Sequence, residues 1–265
     1  MIYKIVNQYV QCKNIEIDLA WKKFQVKNIE NCLHNKCTIS VCFERQEFDL
    51  INLDMSIALA RNIQYIFSAD NQWMLVNKDY TRAFVQDGSK ETHNIFLNHL
   101  FYSHAVKRKM VQMHCSMVED NGCGILFLGP SGIGKTTQAE RWEQYHESVI
   151  INGDVGYVQQ TGDGFLAWGT PWHGSSPYCV NTSVPLKAMV VLKQSEKNEL
   201  RELSGFEKVR EVSGNVFYPT WLENGVELCA NTLNILLNSV PVYCLDNRAD
   251  EEAVKLLAKE IDRIT

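Results

Sequence analysis

The stretch "GILFLGPSGIGKTTQAERW", from Gly124 to Trp142, passes from an apolar run through a glycine-rich turn into a polar, helix-forming segment. A short apolar run followed by such a turn reads as a buried strand feeding a helix, which commits this part of the chain to an α/β arrangement. Within it, Gly129, Pro130, Ser131, Gly132, Ile133, Gly134, Lys135 and Thr136 satisfy the pattern G-x-x-x-x-G-K-S/T. Glycines allow positive φ, so backbone N–H groups can converge on phosphate oxygens. A helix N-terminus adds free donors and a positive partial charge. Lys135 is expected to reach the β- and γ-phosphates, and the Thr136 hydroxyl to ligate Mg²⁺. The rival reading is a glycine-rich turn that binds nothing.

A phosphate-and-metal site also needs a carboxylate. Asp154 ends the apolar stretch "SVIINGD" shortly after the loop helix. The short connection predicts that this strand lies beside the glycine-loop strand and delivers Asp154 to the phosphates. The alternative is a plain turn aspartate.

Composition excludes several other classes. The chain has 265 residues, 45% hydrophobic and 22% charged, with a net charge of −5. That balance fits a soluble globular protein and argues against a nucleic-acid groove. The basic run Lys107 to Lys109 reads as the charged end of a helix. No apolar run is long enough for a membrane span, and the N-terminus lacks the pattern of a signal peptide, so a cytoplasmic protein is expected. The nine cysteines are scattered and odd in number, which fits reduced thiols. Cys32, His34 and Cys37 in "CLHNKC" lack a second ligand pair at a finger-like spacing and read as ordinary side chains.

Residues 1–90 alternate in strand fashion, with turn pairs at Ala69–Asn71 and Lys78–Asp79, and predict a β-rich accessory module. Residues 91–265 hold the catalytic candidates. A helix is expected from about Glu91 to Lys109, with Ile95, Phe96, His99 and Tyr102 on one face. Asn121-Gly122 marks a hairpin between "MVQMHCSMV" and "GILFLG". "PLKAMVVLK" and "VPVYCL" read as strands. Ser204 to Glu207 has capping-box spacing, Asn224 to Glu227 starts another helix, and a last helix carries Val254, Leu257, Ala258 and Ile261 on one stripe. The class is α/β, or mixed α+β. "GTPWHGSS" suits either a loop approaching a ligand or a tight connection with a packed Trp172. Lys187, Arg141 and Arg210 read as surface charge more readily than as phosphate contacts.

"MHCSMVEDNGCGILFLGPSGIGKTT" followed by "VIINGD" resembles the catalytic core of HPr kinase/phosphorylase, whose nucleotide-binding core is shared with phosphoenolpyruvate carboxykinase. "GTPWHGSS" and "VPLKAMVVLKQSEKNEL" resemble a wider group of HPr-kinase-related proteins, some of which phosphorylate serine in lasso-peptide precursors. The resemblance spans roughly residues 105–260. It implies that Gly129 to Thr137 hold the phosphates of ATP or another nucleoside triphosphate, and that Thr136 and Asp154 hold Mg²⁺. It implies homo-oligomeric assembly by analogy, while the charge balance and the lack of a long apolar run predict no nucleic-acid or membrane partner. The family commonly carries two acids at the strand end, the first acting as base; here the first is Gly153. That leaves Asp154 or His114 as base, the latter also readable as a brace for the loop. The activity implied is transfer of a γ-phosphoryl group to a hydroxyl, foremost a serine of a peptide or small protein. A carboxykinase-like lyase and a nucleotide-gated peptide-binding module stand as alternatives.

Overall fold

The computed structural model describes residues 1–13, 19–27, 39–44, 63–86 and 88–264. Cys32, His34 and Cys37 lie outside these residues. Each described cysteine is a free thiol. The chain divides into two compact units, Met1–His104 and Ala105–Thr265, and the class is mixed α+β.

The first unit is a sheet of β1 (Ile2–Ile5), β2 (Gln8–Lys13), β3 (Ile39–Glu44), β4 (Ile63–Ala69), β5 (Gln72–Asn77) and β6 (Arg82–Gln86), in the order β1-β2-β3-β6-β5-β4. β4, β5 and β6 form the expected antiparallel meander, and Asp70 and Asn71 take the positive φ of its first turn. All but the last residue of helix α1 (Lys90–Ala105) falls in this unit, which ends at His104. Polar contacts hold it there. Trp21 Nε1 donates to Asn94 Oδ1 at 3.0 Å, Thr92 Oγ1 donates to Asp70 at 3.1 Å, and His104 Nε2 meets the Tyr80 carbonyl at 2.6 Å. The buried face of α1 differs from the expected one: Phe96 and Tyr102 are buried, but with Leu97, Leu100 and Phe101, while Ile95 is exposed. The helix ends at Ala105, and a 3₁₀ turn, Val106–Arg108, carries the basic residues.

The second unit is a nine-stranded sheet. Its axis is β7 (Met110–Asp120), joined to β8 (Cys123–Leu128) by the hairpin at Asn121-Gly122, where both residues have positive φ. β9 (Val149–Asn152) and β10 (Val155–Thr161) pair with β7; β11 (Gly164–Trp168) pairs with β10. β12 (Ser183–Gln194) lies parallel between β8 and β15 (Val242–Asn247), and β13 (Glu199–Glu202) closes that edge. The short β14 (Val216–Phe217) pairs with β7. β11 also pairs with β12, so β10, β7, β8, β12 and β11 form a ring of pairings. β9 sits on β7, not beside β8 as expected, because β7 and β12 already occupy both edges of β8.

The parallel strands β8, β12 and β15 are apolar on both faces, as burial between layers requires. Helices α2 (Lys135–His146) and α5 (Glu251–Arg263) cover one layer, where Ala139, Trp142, Val254, Leu257 and Ile261 meet Phe127, Val190 and Leu245. Asp250 caps α5 by accepting the Ala253 N–H at 3.0 Å. Helices α3 (Gly205–Ser213) and α4 (Gly225–Ser239) begin where expected, but without side-chain caps. At α3, Glu207 is drawn to Arg201 at 2.7 Å and never closes the box on Ser204.

Trp142 is fully buried and edges onto Phe127, with ring centroids 6.1 Å apart. Trp142→Ala should lower the unfolding free energy by about 3–5 kcal/mol in urea titration. A loss under about 1 kcal/mol would show that this helix does not anchor the layer.

Candidate active site

The glycine-rich loop follows β8 and enters α2. Gly129, Gly132 and Gly134 have φ of 144°, 79° and 108°, a region that strains any residue with a Cβ. Lys135 is 6% exposed. Its ammonium donates to the carbonyls of Gly129 at 3.0 Å and Pro130 at 3.2 Å. Burial pushes its pKa down, opposed by the charge of Asp154. A nearly buried cation whose partners are neutral carbonyls suits an anion that replaces or joins them.

A cleft of about 280 Å³ opens here. Ser131, Gly132 and Gly134 border it from the loop, and Lys135, Thr136 and Thr137 from the start of α2. His114, Asp154, Gly153, Ser175 and Ser176 form the facing wall. The expected residues Lys135, Thr136, Thr137, Asp154 and His114 therefore come together. Gly129 and Pro130 stand behind the cleft and present their carbonyls to Lys135, while Ile133 packs against the core.

Strand register sets the facing wall. The β7–β10 pairing places Val155 opposite His114, and Cys115 N–H donates to the Asp154 carbonyl at 2.9 Å. His114 Nε2 then stands 3.1 Å from Asp154 Oδ1, both side chains about one-third exposed or less, at 28% and 34%. Between β9 and β10 the chain breaks at Gly153-Asp154. Asn152 fixes this break: its Oδ1 accepts the N–H groups of Asp154 and Val155, both at 2.9 Å, and its Nδ2 donates to the carbonyls of Thr170 and Trp172. The buried Ser116 Oγ and Thr136 Oγ1 each donate to the Gly153 carbonyl at 3.2 Å.

The "GTPWHGSS" loop reaches this site. Gly174 lies so close to Asp154 that an added Cβ would sit 2.4 Å from Oδ2. Trp172 itself is buried against Tyr157, with centroids 6.1 Å apart, and packs instead of facing the cleft. His173 Nδ1–H donates to the Ser176 carbonyl. Arg141, Lys187 and Arg210 do not line the cleft; they bond to Ala249, to the Ile264 carbonyl and to Glu211.

Asn215 went unnoticed in the sequence. Its Oδ1 accepts the Gly129 N–H at 2.9 Å, its carbonyl accepts the His114 N–H at 2.8 Å, and its Nδ2 donates to Glu211 at 2.9 Å. One residue thus ties α3 to the loop and to the histidine strand. Only contact across a long chain separation reveals it.

The set fits a nucleotide phosphate and Mg²⁺. Gly132 and Gly134 line the cleft with nothing within 4 Å of where a Cβ would stand, and one hydroxyl with one carboxylate matches the sparse protein ligation that Mg²⁺ accepts beside phosphate oxygens. Among the described residues, no cluster of three His, Cys, Asp or Glu side chains forms a preassembled metal cage. No described helix is long and apolar enough to cross a membrane.

Gly153, where the resemblance expects an acid, has no room for one: a Cβ would meet Ser176 Oγ at 1.9 Å and Ser176 Cβ at 2.5 Å. Gly153→Asp should cost about 1–3 kcal/mol in thermal or urea unfolding, and Ser176→Gly in the same chain should recover most of it. Equal stability of Gly153→Asp with and without Ser176 would contradict this packing.

Among solved structures the chain is similar to the Hpr(Ser) kinase/phosphatase from Coxiella burnetii, at 12% identity and a TM-score of 0.33, over 57% of this chain and 98% of that one. A likeness at that level carries no functional weight. No curated protein matches the chain. The family described as "SynChlorMet cassette protein ScmC" matches residues 90–248, more than half of the 265. The chain belongs to that ScmC family.

Proposed function

We propose that the protein is a kinase that uses ATP with Mg²⁺ to phosphorylate a hydroxyl, the acceptor being a serine of a peptide or small protein. One observation carries the reading: Lys135, the Thr136 hydroxyl and the paired His114 and Asp154 share a single cleft with the glycine-rich loop. Phosphoryl transfer needs little from a protein beyond position and compensating charge, and these groups supply both.

In this scheme the loop amides and Lys135 hold the triphosphate and offset charge on the γ-phosphoryl oxygens. Thr136 and Asp154 would hold Mg²⁺, which supplies further charge compensation when bound. The acceptor oxygen bonds to the γ-phosphorus as the bond to the bridging oxygen breaks, and the electron pair leaves with ADP. The hydroxyl proton passes to the His114–Asp154 pair, 3.1 Å apart. The pair replaces the missing acid at Gly153, where Ser176 fills the space.

Incubation with γ-labelled ATP and peptides encoded beside the gene tests the proposal. Lys135→Ala should lower transfer by about two to three orders of magnitude. His114→Ala should lower it by about a hundredfold. Asp154→Asn should cost more than His114→Ala, because it removes both proton acceptor and metal carboxylate. Intact ATP binding with no acceptor ever labelled would instead support a nucleotide-gated binding module.

A further inference from the structure

We infer that a second cavity, on the other side of the glycine-rich loop, holds the ribose and base of the nucleoside triphosphate. The inference rests on the nucleotide reading above and extends it to the part of the ligand that the phosphate cleft does not contain.

The second cavity is about 530 Å³ and shares Gly132, Gly134 and Thr137 with the first. The two are therefore neighbours across one turn of backbone. The phosphate cleft, at about 280 Å³, is below the usual size of a pocket that encloses a small organic ligand; the second lies well inside that range. A ligand that fills the first with phosphates has the second open beside it.

Its position follows from the sheet. Gln194 and Asn247 are the last residues of β12 and β15, and Ser195, Glu196, Arg248 and Ala249 continue from them. β8, which feeds the glycine-rich loop, is the parallel neighbour of β12. The cavity thus lies outside the carboxyl ends of adjacent parallel strands, where open α/β sheets take ligands.

The walls are fixed before any ligand arrives. Ser195 N–H donates to the Asn247 carbonyl at 3.1 Å, and Ala249 N–H donates to Asn247 Oδ1 at 2.8 Å. Arg141 Nε donates to the Ala249 carbonyl at 3.0 Å, tying this wall to the loop helix. The Arg248 guanidinium is held by Asp250 at 2.9 Å and Glu252 at 2.6 Å. A guanidinium fixed at its edge keeps a flat face for a base to stack on. No described lining residue is aromatic, so in this inference the base stacks on the Arg248 guanidinium. Glu196 is exposed at the rim, and its carboxylate can only accept, which matches ribose hydroxyls and base amino groups.

Calorimetric titration of the full chain with ATP and with inorganic tripolyphosphate, each with Mg²⁺, separates the two cavities. ATP should bind more tightly than tripolyphosphate. Ser195→Trp, which fills the second cavity, should weaken ATP by about tenfold and leave tripolyphosphate unchanged. Arg248→Ala, whose exposed ion pairs matter little to folding, should act the same way by a smaller factor. Lys135→Ala should weaken both ligands. Unchanged ATP affinity in the two cavity variants, or an equal loss for both ligands, would overturn the inference while the phosphate site stands. Failure of the wild-type chain to bind either ligand would overturn the nucleotide reading and this inference with it.

Discussion

The hydrogen bond from Cys115 N–H to the carbonyl of Asp154, 2.9 Å long, sets the geometry of the whole site. β7 runs past both halves of the β9–β10 strand, and this bond fixes the register at the break between them. A slip of one residue would turn His114 to the opposite face and carry it away from Asp154. Ser116, one pleat on from His114, reinforces the same point by donating to the Gly153 carbonyl. On its other edge β7 pairs with β8, whose end becomes the glycine-rich loop. One strand therefore places the histidine, the carboxylate and the loop relative to one another.

The surrounding layer makes that placement rigid. α2 starts inside the loop and buries Ala139 and Trp142 against β8 and β12. Motion of the loop would thus disturb the helix that covers the core. Asn215 adds a second brace by bonding the first loop glycine and the backbone of His114. Such cross-links between distant segments are what hold a charged constellation in a fixed geometry before its ligand binds.

Much of this was legible in the chain because the signals were local. Asn121-Gly122 needs positive φ at two positions and formed the hairpin; the loop motif and the stripe of Val254, Leu257, Ala258 and Ile261 formed what their spacing required. The failures were tertiary. Ile95 has the right periodicity for a buried face but points outward, because Trp21, Asp70 and Tyr80 fix α1 by its polar residues. The Ser204–Glu207 box lost its glutamate to Arg201. Gly153 read as a missing acid; the structure shows a position that Ser176 fills. The placement of β9 could not be read from a short connection, since two strands already flanked β8.

In the proposed mechanism the loop, Lys135 and the His114–Asp154 pair form a single site for the terminal phosphate of a nucleotide. A crystal structure with Mg²⁺ and a non-hydrolysable ATP analogue tests it directly. The expected result is a triphosphate along Ser131 to Thr137, its last phosphate between Lys135 and the His114–Asp154 pair. An analogue bound away from the loop, or an empty loop at saturating analogue, would contradict it.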